Sequence, residues 1–187
     1  MSRLFPSVAL TLIPLLLGAC GDATRATDPQ LESKAGTVAN LAAERRIQMM
    51  DACDPESFNE ALGPGSCLRN GGLEFAKFLG LLGKHQSVGA WHFAPDKVNA
   101  RVGQELLAVN TGGEVHTFTE VEEFGGGIVP ALNELSGNLV EAPECAALEP
   151  DDFVPPGGTY RDDVDEAGTE RYQCCIHPWM RTVVTAR

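Results

Sequence analysis

Basic residues and histidines are scarce in this chain. Lys and Arg together number 14 against 26 acidic residues in 187, the formal net charge is -12, and only four histidines occur: His85, His92, His116 and His177. The basic residues form no run, which excludes a phosphate-neutralising surface for nucleic acid. No Cys-x-x-Cys is present, so thioredoxin-like redox chemistry is excluded, and no Cys-x-x-Cys-His, so covalently attached haem is too. Structural zinc usually draws on two ligand pairs at regular spacing, and there is no second pair. The length suits one ordinary domain with extensions. A hydrophobic share of 43% is enough for a packed core, while 20 Gly and 12 Pro imply many turns and few long helices.

Long apolar runs are also missing, except at the start. Arg3 is followed by an uncharged stretch from Leu4 to Leu17, interrupted by Pro6 and Pro14 and ending in Gly18 and Ala19 before Cys20. A spanning helix needs roughly 20 apolar residues, so residues 1–19 are expected to be a signal peptide. Leu17-Gly18-Ala19-Cys20 resembles a bacterial lipobox, which implies lipid on Cys20 as the only membrane attachment. Residues 20–36 are polar and carry Pro29, as a lipidated tether would. The expected location is outside the cytoplasm, periplasmic or at the cell surface, where disulfides persist.

In the mature chain, Val38, Leu41, Ala42 and Met49 fall near helical spacing and predict a helix from Thr37 to Ala52. Phe58, Ala61 and Leu62 before Gly63-Pro64-Gly65 predict a second helix, and Leu73 to Leu82 a third. A Cys53–Cys67 bridge is the default in an oxidising compartment and would staple this 37–86 helical leader. From about Ser87 the texture changes to short runs between Gly, Pro and Asn turns. Trp91 to Phe93, Lys97 to Arg101, Glu105 to Asn110, Val115 to Val121, Thr159 to Asp162, Glu170 to Cys174 and Thr182 to Thr185 predict an all-β sandwich over 87–187. Asn110-Thr111-Gly112-Gly113 is a hairpin signal. The stretch from Phe124 to Pro156 reads as a long loop, and such loops are usually functional or disordered.

The chemistry concentrates near the C-terminus, in Cys174-Cys175-Ile176-His177-Pro178-Trp179-Met180. Cys-x2-His-x2-Met places a thiolate, an imidazole and a thioether where one tight loop can turn them onto one ion. A second imidazole completes a two-His, one-Cys set with a weak axial Met, the ligand set of a blue copper site. His116, on the run after Gly112-Gly113, is the natural candidate. His85 and His92 are then structural or exposed, though His92 beside Trp91 could lie near the metal. Two spare histidines cannot furnish a multicopper oxidase or a copper nitrite reductase.

Glu114-Val115-His116-Thr117-Phe118 and Cys174 to Met180 resemble the two copper motifs of the cupredoxins, the plastocyanin and amicyanin group, over roughly Ser87 to Arg187. The resemblance implies a Greek-key β-sandwich and one type 1 copper per chain, held by His116, Cys174, His177 and axial Met180. It implies a non-enzymatic carrier of single electrons with His177 nearest the surface as electron port. Two features depart from the family pattern: the doubled cysteine and the long loop before Pro156. Cys174 alone keeps the two-residue gap to His177, and strand alternation sets it on the face of Tyr172. Cys175 is then free to pair with Cys145.

Pro178 and Trp179 read as apolar cover of the site and Trp91 as core. Glu114, Glu120, Glu122, Glu123 and the acids from Asp162 to Glu170 are either solvated or an acidic rim that steers a basic redox partner such as a cytochrome or oxidase. The expected state is a monomer. A copper carrier or buffer is the main alternative function, and a cupredoxin-fold partner-binding module the other. A carrier would more often show Met-rich or His-rich tracts, and only four Met occur.

Overall fold

The structure, a computed structural model, describes residues 44–187. The expected signal peptide, the lipobox Cys20, the tether and the first part of the helix expected from Thr37 lie outside the described residues.

In chain order the elements are β1 (Arg45–Met50), α1 (Pro55–Leu62), α2 (Phe75–His85), β2 (His92–Ala94), β3 (Lys97–Ala100), β4 (Glu105–Asn110), β5 (His116–Thr117), β6 (Thr119–Val121), α3 (Pro130–Ser136), β7 (Phe153–Val154), β8 (Thr159–Asp163), β9 (Gly168–Gln173) and β10 (Arg181–Ala186). The architecture is mostly strand, with few and short helices. Two four-stranded sheets, ordered β2-β1-β4-β8 and β3-β10-β9-β6, share one core, and β5 pairs with β7. Ile47, Met49, Phe93 and Leu106 enter that core from the first sheet, and Val98, Tyr172 and Val184 from the second. No helix among the described residues is long and apolar enough to cross a membrane.

The helix expected over Thr37 to Ala52 is corrected where it is described. Residues 45–50 form strand β1, parallel to β4 and antiparallel to β2. Ile47 and Met49 are fully buried while Arg46 and Gln48 face out, a period of two that the wider spacing of Val38, Leu41 and Ala42 disguised. The expected 37–86 leader is therefore part strand, and its strand lies inside a sheet rather than beside it.

The other two leader helices form, each for a local reason. Asp54 caps α1, its carboxylate accepting from the Ser57 amide at 2.9 Å, with Pro55 in the first turn. The Cys53–Cys67 disulfide closes the segment. Asn59 braces it further, donating to the Cys67 carbonyl and accepting from its amide, both at 3.0 Å. Helix α2 buries Phe78 and Leu82. Phe58, Phe75, Phe78 and Trp91 then pack as an aromatic cluster, with centroids of 5.1 Å for Phe58–Phe75 and 4.7 Å for Phe78–Trp91.

Two more expectations are revised. Asn110 to Gly113 is not a hairpin turn, because β4 pairs with β1 and β8 while β5 pairs with β7 and β6 with β9. The chain crosses between sheets here. Asn110 organises the crossing by accepting from the Gly112 amide and donating to the carbonyls of Glu114 and Val154. The stretch from Phe124 to Pro156 contains α3, two single 3-10 turns and β7. Helix α3 starts on Pro130 and ends on Gly137 at φ 75°, and Asn133 clasps Gly127 by two hydrogen bonds of 2.7 Å. A Cβ on Gly127 would meet the Cys175 carbonyl oxygen at 1.9 Å, so only glycine lets this segment lie against the cysteine loop.

Candidate metal centre

Strand β9 delivers Cys174 and β10 departs at Arg181, so the seven residues between them form a loop. The loop closes on itself: the Met180 amide donates to the His177 carbonyl at 2.9 Å, and the Cys174 amide donates to the Met180 carbonyl at 3.0 Å. Arg181 pins it from outside, donating to the Pro178 carbonyl at 2.7 Å and to the Asn138 side chain at 2.6 Å.

This closure brings His177 back over Cys174, and β5 brings His116 to the same point. Both Nδ1 atoms stand 3.8 Å from the Cys174 sulfur, and the three ligand atoms lie within 4.8 Å of one another. All three side chains are buried. The amides of Thr117 and His177 each point at the sulfur from 3.5 Å. Met180 is fully buried at the return of the loop. Cys174 is the one free cysteine among the described residues, because Cys175 is bonded to Cys145. The adjacent cysteines thus face opposite ways, Cys174 into the main core and Cys175 into a satellite cluster with Val121 and Ala142.

The far nitrogens of both imidazoles meet carboxylates, and neither partner was singled out as such from sequence. His116 Nε2 lies 2.9 Å from Asp51 Oδ2. Asp51, whose side chain is 1% exposed, also accepts from the amides of Gly113, Glu114 and Cys53. A Cβ on Gly112 would strike that carboxylate at 1.9 Å, which is why the crossing needs glycine there. His177 Nε2 lies 3.6 Å from Glu114 Oε2, which accepts the Trp91 indole N–H at 2.6 Å. Glu114 is therefore no part of a solvated rim, and Trp91 is core with a second task. His85 and His92 are exposed and stand outside the cluster.

The electrostatics follow from burial and partners. Burial pulls the His116 imidazole toward neutrality, but the Asp51 carboxylate and the Cys174 sulfur outweigh it and hold its pKa at about 9. Asp51 is held at about 2, since its bonds to His116 and to the backbone amides overcome the cost of burial. Burial opposes the Cys174 thiolate, yet the two imidazoles lower its pKa well below the usual thiol value. Burial raises the Glu114 carboxyl, which His177 and the Trp91 N–H only partly offset.

Of the four expected ligands His177 lies nearest the surface, at 3% exposed against 0% for His116, Cys174 and Met180. Phe78 of α2 covers it at 6.5 Å between centroids and Trp179 at 5.5 Å, both edge-on. Phe78 of α2 and Trp179 of the loop thus leave His177 only a small exposed edge.

No protein-family model matches the chain, and no curated protein does. Among solved structures it is similar to a purple cupredoxin from Nitrosopumilus maritimus, 15% identical over 76% of this chain and 99% of that one, with a TM-score of 0.44. It is also similar to a plastocyanin from Dryopteris crassirhizoma, 19% identical over 54% of this chain and 93% of that one, with a TM-score of 0.37. An amicyanin mutant in its Cu(I) form is 20% identical over 51% of this chain and 73% of that one, with a TM-score of 0.34.

Proposed function

We propose that the chain is an exported blue copper protein with a Greek-key, cupredoxin-type sandwich, carrying single electrons. The observation that carries this reading is the convergence of His116 Nδ1 and His177 Nδ1 on a buried, unpaired thiol at 3.8 Å each. One thiolate and two imidazoles suit copper in both oxidation states; His116, Cys174 and His177 would hold the ion, and the buried Met180 would add a weak thioether ligand. Copper bound there supplies reversible one-electron chemistry. The residues around it exclude water, orient the ligands and restrain rearrangement. Asp51 fixes the His116 ring, the loop hydrogen bonds fix His177, and Pro178, Trp179 and Phe78 keep the pocket dry.

Burial favours electron transfer over copper carriage. A carrier hands on its ion by ligand exchange, which needs an accessible ligand, whereas these three side chains are at most 3% exposed. Burial also argues against Cys174 as a catalytic nucleophile, although Cys174, His116 and Asp51 lie in a row. The direct test is to load the metal-free protein with one equivalent of Cu(II) and record its visible spectrum and reduction potential. An intense charge-transfer band in the visible with reversible one-electron reduction is expected; a weak ligand-field spectrum alone would refute the assignment.

Two further parts of the proposal rest on other features. Two disulfides suit an oxidising compartment, and the lipobox-like run before Cys20 suits a lipid anchor. On expression in a bacterial host, Cys20→Ala should move the protein from the membrane to the soluble fraction, and unchanged partition would remove the anchor. Glu120, Asp162, Asp165, Glu166 and Glu170 crowd one region. The Glu120 carboxyl is raised by partial burial and then by Asp162, Glu166 and Asp165. This face suits a basic redox partner. Electron transfer to a basic cytochrome should slow as salt rises from about 10 to 200 mM, as the screening length shrinks, and salt-independent rates would discard the steering role.

A further inference from the structure

Beside the centre, α1, α2 and α3 line a partly open cavity of about 380 Å³. Its volume falls in the range of sites that hold small organic molecules, roughly 300–1,000 Å³. The walls are apolar, with Phe58, Phe75 and Phe78 from one side and Leu132 and Leu135 from the other. Two polar side chains line it, Glu114 and His177, and they lie side by side.

The chemistry of that pair is specific. His177 Nδ1 faces the Cys174 sulfur, so Nε2 is the ring nitrogen left to meet a ligand, as donor or acceptor according to the tautomer. Its neighbour Glu114 Oε2 is 3.6 Å away, too far for a good hydrogen bond, and is already engaged by Trp91. Glu114 retains acceptor capacity, because a carboxylate offers about four lone-pair sites. A carboxylate and an imidazole nitrogen thus stand together at the edge of an apolar, aromatic-walled space. A hydroxyl group suits the pair in either tautomer, donating to Glu114 while accepting from a protonated Nε2, or donating to a bare Nε2. A charged body would lose its hydration against these walls, and the carboxylate repels anions.

We propose that this cavity binds a small neutral phenol, its ring among the three phenylalanines and its hydroxyl between His177 and Glu114. The site goes beyond the electron-carrier reading and does not depend on it, since cavity and polar pair belong to the protein's own residues.

The test uses the metal-free protein and three probes of similar size: phenol, anisole, which accepts but cannot donate, and benzene, which does neither. Each is titrated while amide and imidazole NMR shifts are followed. Phenol is expected to saturate shifts at Glu114, His177 and α3, and to bind at least tenfold more tightly than anisole or benzene. Leu132→Trp, which fills the space from α3, should abolish the effect, and Ala131→Trp at the exposed mouth serves if the first variant fails to fold. Absence of saturation, equal affinity for anisole, or full binding by the filled variant each overturns the proposal. None of these results bears on the copper spectrum, so the two readings fail separately.

Discussion

Cys174→Ala is expected to abolish the intense visible band of the copper-loaded protein, while the variant still folds. Cys174 is the one free cysteine among the described residues, and both imidazoles converge on its sulfur. No other described thiol can replace it, because the remaining four are paired in disulfides. Removing one buried sulfur leaves a small cavity, so the stability cost should be about 1–2 kcal/mol. The neighbouring cysteine should behave in the opposite way. Replacing Cys145 and Cys175 together by Ala removes a bridge that closes 30 residues. That change should cost roughly 3–4 kcal/mol and leave the band in place. Visible spectra and urea midpoints of the two variants separate the roles, and a band that survived Cys174→Ala would reassign the thiolate.

Asp51→Asn is expected to weaken copper binding about 10–100-fold, the range found when an outer partner of a metal-binding histidine is lost. It should also destabilise the metal-free protein by roughly 2–3 kcal/mol near pH 6, since several charge-assisted hydrogen bonds end on this buried group. Oδ2 faces His116 Nε2 and the amides of Gly113 and Glu114, while Oδ1 accepts from Gly113 and Cys53. An amide NH2 in either position sets N–H against N–H, so asparagine cannot mimic the carboxylate.

The deficit should depend on pH with a defined sign. The Asp51 pKa is lowered from 3.8 to about 2, so its contribution is complete above 3.8 and lost as pH falls through about 2. The His116 pKa is raised from 6.5 to about 9, so its contribution is complete below 6.5 and lost as pH rises through about 9. The gap between wild type and Asp51→Asn should therefore be widest between about pH 4 and 6.5 and narrow toward pH 9. Urea midpoints at pH 5.5, 7.5 and 9 check this, and a gap that widened with pH would show that the His116 charge is not what Asp51 supports.

The parts of the fold that are legible in the sequence are those with local causes. β4 and β10 lie within a residue of the apolar runs that predict them, α1 follows from its Asp54 cap, Pro55 and helical spacing, and α2 from helical spacing alone. α3 was missed although Pro130 and Gly137 mark its ends, because so many prolines and glycines make the whole stretch read as loop. β1 was missed because a helical period imposed on Val38 to Met49 hides the alternation of Ile47 and Met49.

In the candidate centre, the sequence alone set which side chains could serve a metal. The spacing of Cys174, His177 and Met180 is a property of one short loop, and the scarcity of histidine left few choices for the remaining imidazole. Tertiary structure alone decided what surrounds them. Asp51 reaches His116 across 65 residues and Glu114 meets Trp91 across 23, and no local pattern encodes such pairings. The same holds for Phe78, which packs over His177 from α2 and narrows the edge it leaves exposed. Spacing along a chain reports what a loop can bring together by itself, whereas burial and outer hydrogen bonds depend on which distant elements pack against it.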